Sequence, residues 1–165
     1  MLMEVVGVRI EMPSNQPIVL LKETSGLRFL PIWVGAVEAT AIAFAQQGVE
    51  PPRPLTHDLV KVIIDALGTS LEEVLISKVE DGIFFAELLL KSAEGVESRI
   101  SARPSDAIAI ALRTQSPIYA TVSILDEAGI EIPANEGASQ GSDSNEEVER
   151  FREFLDQINP EDFVS

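Results

Sequence analysis

The chain contains no cysteine, so a disulfide framework, a thiolate metal site and a cysteine nucleophile are excluded. It has one histidine (His57), one tryptophan (Trp33) and one tyrosine, which leaves little room for a Ser–His–Asp triad and none for a multi-histidine metal site. Positive charge is scarce. Twelve Lys and Arg stand against 27 Asp and Glu, a net charge of −15. Coating of nucleic acid by a broad basic surface is therefore excluded, because that affinity comes from dense Lys and Arg; phosphate recognition here needs a few local arginines or a bridging cation. No apolar run approaches the length of a membrane span, and Met1 to Arg9 lacks a basic stretch leading into an apolar one. The expectation is a cytoplasmic protein without a membrane association. No Walker loop, G-x-G-x-x-G, G-x-S-x-G or His-Glu-x-x-His pattern occurs, so no organic cofactor is expected.

What is present is an ample apolar content, 45% of 165 residues, enough for one domain with its own core. The composition changes near position 134. Residues 135–145 are rich in Gly, Ser and Asn and read as a flexible linker. In residues 146–165, Val148, Phe151, Leu155 and Ile158 fall on one helical stripe after a Ser144–Glu147 capping box. This predicts an acidic amphipathic tail helix that docks on its own domain, on a second subunit or on another protein. Residues 135–165 carry a net charge of −7 and the first 134 residues −8.

Within residues 1–134 one pattern occurs twice, over about 2–68 and 70–132. Segments 2–12, 17–24 and 27–34 read as strands, followed by helices over 37–47 and 56–66. Segments 71–80, 82–91 and 96–102 read as strands, followed by helices over 105–113 and 122–128. Asp81-Gly82 marks a tight hairpin. Glu38-Ala-Thr-Ala-Ile-Ala43 matches Asp106-Ala-Ile-Ala-Ile-Ala111 letter for letter at most positions. The reading is an α+β fold: a duplicated β-β-β-α-α unit with a mainly antiparallel sheet and helices packed on it.

Three helix starts collect the informative polar residues: Trp33 to Glu38, Arg53 to Asp58, and Arg103 to Asp106. Helix N-termini present free N–H groups and partial positive charge, which suits anions. Arg53 and Arg103 suit phosphate, with Thr56, Ser105 and Trp33 as further substrate contacts, Trp33 by stacking on a base. Glu38, Asp58 and Asp106 are hard oxygen donors suited to magnesium or manganese, and such a cation can activate water. His57 at a helix start suits a general base or a ligand. Each residue also has a plainer role: Thr56 and Ser105 as N-caps, the acids as complements of the helix dipole, His57 and Trp33 as packing residues.

Three words, Leu30-Pro-Ile-Trp-Val-Gly35 with Glu38-Ala39, Pro52-Arg-Pro-Leu-Thr-His-Asp58 and Ala102-Arg-Pro-Ser-Asp-Ala-Ile108, resemble the bifunctional nuclease family over about residues 2–132. The acidic tail resembles the ends of actinobacterial members. The resemblance implies a duplicated α+β fold, homodimers or higher homo-oligomers, and nuclease activity on RNA and DNA. One departure stands out: Ser101 occupies a position where many relatives carry Asp. The expected function is hydrolysis of RNA or DNA phosphodiesters with catalytic His57, Asp58, Glu38 and Asp106. The alternative from a different class is a non-catalytic oligomeric protein that recognises a small anion or a protein partner through the same cluster.

Overall fold

A computed structural model of the chain describes residues 1–131. The expected linker and acidic tail helix lie outside the described residues, as does the end of the second repeat. The elements are β1 (Leu2–Ile10), β2 (Pro17–Glu23), β3 (Arg28–Trp33), α1 (Ala36–Gln46) and α2 (Thr56–Ala66), then β4 (Thr69–Glu80), β5 (Ile83–Ser92), β6 (Glu97–Ala102), α3 (Pro104–Thr114), β7 (Ile118–Ala120), α4 (Val122–Ala128) and β8 (Ile130–Glu131). Each half is an antiparallel three-stranded meander followed by two helices. The second half departs from the expected plain repeat. A short strand, β7, interrupts its helices, and β8 follows them.

All eight strands form one sheet in the order β6-β5-β4-β7-β1-β2-β3-β8. The two meanders thus lie in mirrored order about β7, as a pseudo-twofold duplication requires. β7 pairs antiparallel with β1 and parallel with β4, and every other pairing is antiparallel. The Asp81-Gly82 loop closes β4 onto β5 with both residues at positive φ, 50° and 74°, the geometry of a primed two-residue turn.

The core follows the period of two. Val19 and Leu21, Val74 and Ile76, and Ala86 and Leu88 are buried and belong to one cluster with side chains of the helices. α1 and α3 pack together through alanine-rich surfaces, including Ala41, Ala107 and Ala111, which let two backbones approach closely. α3 also packs on α2 and on the sheet, and seven of its eleven residues are buried. Its position is fixed from several sides.

Ile108, fully buried in α3, is therefore a sensitive probe of the core. Ile108→Ala is expected to cost about 3 kcal/mol through lost burial and a residual cavity. A loss of unfolding free energy in urea of less than about a third of that amount would show that α3 repacks freely.

Candidate active site at the helix starts

α3 begins where Arg103-Pro104 ends the preceding extended chain. Proline at the first helical position has the φ that a helix needs and no N–H to leave unpaired. Arg103 is the N-cap, and Ser105, expected to cap, lies inside the helix and is buried. α2 likewise starts from Leu55, so Thr56 is its first helical residue and not its cap. Asp58, three residues after Leu55, accepts the Leu55 backbone N–H at 2.9 Å, half of a capping box.

These starts bring four acids and bases from three separate segments, Glu38, His57, Arg103 and Asp106, into one chain of hydrogen bonds. Arg103 Nε donates to Asp106 Oδ2 at 2.7 Å. Arg103 Nη2 donates to Asp106 Oδ1 and to Glu38 Oε1, both at 3.0 Å. His57 Nε2 lies 2.9 Å from Asp106 Oδ1. The duplicated positions Glu38 and Asp106 thus share a single guanidinium. The two repeats build one joint cluster.

A carboxylate oxygen that is ionised can only accept, so His57 Nε2 carries the proton in this contact and Nδ1 is the acceptor of the neutral ring. Burial pushes the Asp106 carboxyl up, but hydrogen bonds from Arg103 and His57, with the charge of Arg103, outweigh it and hold it below the ordinary carboxylate value. Arg103 is raised by its hydrogen bond to Asp106 first, then by the charges and bonds of both acids. Its guanidinium spends Nε and Nη2 on these acids, and its side chain is 66% exposed. The two N–H groups of Nη1 make no hydrogen bond within the described residues.

Asp58 does not join the cluster. It pairs with Arg113 of α3, whose Nη1 also donates to the carbonyl of Ala41 at 3.0 Å and of Ala109 at 2.8 Å. Burial again raises the Asp58 carboxyl. The Arg113 hydrogen bond, the Leu55 N–H and the Arg113 charge then bring it below its ordinary value. The expected metal set of Glu38, Asp58 and Asp106 is accordingly not assembled. Glu38 and Asp106 are bridged by a guanidinium, and among the described residues no group of three or more His, Asp or Glu side chains is disposed to hold a metal ion.

Arg103 and Ser105 line a cleft of about 300 Å³ together with Trp33 and Gly35 from the first half and Ile83 and Phe84 from the second. Trp33 Nε1 donates to Glu11 Oε2 at 3.3 Å, and Glu11 is itself buried and accepts from Ser14 Oγ at 2.7 Å. Gly35 leaves space for Glu38: a Cβ there would collide with Glu38 Oε2. Arg53 and Thr56 are exposed and outside the cluster, as is Ser101 at the end of β6. Sequence reading missed Arg113, Glu11 and Phe84. Arg113 stands two helical turns after Asp106, on the same side of α3, and that spacing was its available signal.

Fold and site together define a duplicated α+β domain with an arginine–carboxylate–histidine cluster beside an aromatic cleft. The chain belongs to the bifunctional nuclease domain family, whose model matches residues 19–133. Two strains of Mycobacterium tuberculosis carry an uncharacterized protein 51% identical over 161 residues, covering 96% of this chain and 95% of that protein. Bifunctional nuclease 2 of Oryza sativa subsp. japonica is 34% identical over 127 residues, 75% of this chain and 39% of the rice protein. Bifunctional nuclease 1 of Arabidopsis thaliana is 32% identical over 108 residues, 64% of this chain and 33% of the plant protein. The chain thus spans only a third to two-fifths of these plant relatives. No described helix is long and apolar enough to cross a membrane.

The Asp58–Arg113 pair makes a pH prediction. A carboxylate whose folded pKa is depressed contributes stability above its unfolded pKa of about 3.9, and loses it as pH falls through the folded value. Asp58→Asn is therefore expected to lower stability near neutrality and to flatten the acid limb below about pH 4. Arg113→Ala should cost about 2 kcal/mol at neutral pH, the scale of a charged hydrogen bond lost from a partly buried site. Urea midpoints from about pH 7 down to about pH 3 decide this; an unaltered acid limb in Asp58→Asn would remove Asp58 from the account.

Proposed function

We propose that this chain hydrolyses phosphodiester bonds of RNA or DNA at the Arg103–Asp106–His57–Glu38 cluster. The observation that supports it is the hydrogen-bonded line itself: a histidine oriented by a carboxylate, which is in turn bonded to an exposed arginine with unspent donors. Family membership and the plant relatives support nuclease chemistry in general.

Each residue has a definite task. Arg103 Nη1 donates to a non-bridging phosphate oxygen and stabilises charge that grows in the transition state. Asp106 holds the His57 tautomer, as the acid of a triad holds its imidazole. His57 Nδ1 accepts a proton from the attacking water as its oxygen bonds to phosphorus. The P–O ester bond breaks, and the leaving oxygen takes its proton from solvent. Glu38 fixes the guanidinium plane from the other half of the molecule.

A second reading has its own observation. Arg103 is already closed onto two carboxylates, which suits a protein that recognises an anion or a partner and does not cleave. Cleavage of labelled single-stranded RNA and DNA separates the two. His57→Ala and Arg103→Ala are each expected to lose about a hundred-fold or more in rate. Binding retained without cleavage in the wild type would favour the second reading. The assay runs with magnesium, with manganese and with EDTA. Cleavage that survives EDTA is the result expected of the protein groups alone, and cleavage lost in EDTA assigns a cation to the reaction. Gly35→Ala is expected to lower the rate by pushing Glu38 off Arg103, with the thermal midpoint nearly unchanged; an unchanged rate would leave Glu38 without a role.

A further inference from the structure

We infer that the cleft beside Arg103 is a nucleobase pocket, so that the substrate of this domain is single-stranded nucleic acid with one base inserted between the halves. The inference rests on the phosphodiesterase reading and names its substrate class.

The cleft volume of about 300 Å³ lies at the low end for pockets that enclose a small ring-bearing ligand. It has room for one base, and a base still paired in a duplex reaches it only by leaving its stack. The lining matches a flat, largely apolar ring. Trp33 and Phe84 are its two aromatic residues, one from each half, with Ile83 at 62% exposure among their neighbours. Gly35 and Gly82 present bare backbone there. The Trp33 indole N–H is tied to the buried Glu11 carboxylate, so the ring is a fixed platform before any ligand arrives. Ser105 supplies a hydroxyl within the lining, and Arg103 belongs both to the cleft and to the cluster. A base in the cleft thus has its own phosphate next to the Nη1 donors of Arg103. Stacking on a side-chain ring is tolerant of base identity, which fits a domain that accepts either nucleic acid. It also offers affinity without a basic surface, as a chain of net charge −15 requires.

Trp33 is the chain's only tryptophan, so its fluorescence reports on this cleft alone. The probes are a short phosphorothioate oligothymidylate, the same backbone carrying abasic residues, and the oligothymidylate annealed to its complement. Titrated into the full chain, the base-bearing single strand should quench Trp33 emission saturably. The abasic strand and the duplex should bind about 5- to 150-fold more weakly, the loss expected for one stacked base. Phe84→Leu should weaken the base-bearing strand by a similar factor and leave the abasic strand unchanged, whereas Trp33→Phe should retain most of the affinity. Equal binding of base-bearing and abasic strands with unchanged emission would overturn the pocket and leave the phosphate site standing. Duplex bound as tightly as single strand would also overturn it. If no strand binds, the phosphodiesterase reading falls with it.

Discussion

One buried guanidinium holds the site in register. Arg113, at the end of α3, reaches the carboxylate at the start of α2 and a backbone carbonyl of α1, and it returns to its own helix through Ala109. A largely buried charge is best tolerated when all its partners are in place, so Arg113 ties the three helices together. Because Asp58 is gripped, the residue before it is gripped too. His57 is carried to Asp106 by the same turn of helix. Without that anchor, the first turn of α2 would be free to fray, and the His57–Asp106 contact would depend on a mobile helix end. The residue bonded to Asp106 and the residue tied to Arg113 are thus neighbours in one short segment.

Much of this was legible in the letters. The α+β class, the duplicated meander and the α2 and α4 boundaries follow from period-two strands, Pro and Gly punctuation and an Asp-Gly hairpin. The matched words at Glu38 and Asp106 marked equivalent helix starts, and these proved to share Arg103. β7 and β8 were not legible, because three and two residues carry no measurable alternation. In the letters Asp58 is indistinguishable from the other first-turn acids, because sequence gives the turn of a helix but not the direction it faces after packing. Its true partner lies 55 residues away on another helix. The N-caps were misplaced for a local reason. Thr56 and Ser105 are favoured cap types, but Leu55 and Arg103 hold the extended backbone that precedes each helix.

The charge of the cluster shapes its chemistry. Two carboxylates and one guanidinium leave a residual negative charge when His57 is neutral. A cluster of that net charge exerts no long-range attraction on a polyanion. In the longer plant relatives the matching region is a minority of the chain.

β7 has a consequence for how the chain is made. Among the described residues it is the only strand between the two meanders, and Met1 N donates to Ala120 O at its end, at 2.8 Å. During synthesis, β1 emerges first and β7 almost last among the described strands. The N-terminal meander therefore waits with its β1 edge unpaired until 118–120 leave the ribosome. An open strand edge in a growing chain invites pairing with a neighbour's edge, and the hazard lasts until β7 has emerged. The sheet is sealed at its middle, late, by three residues.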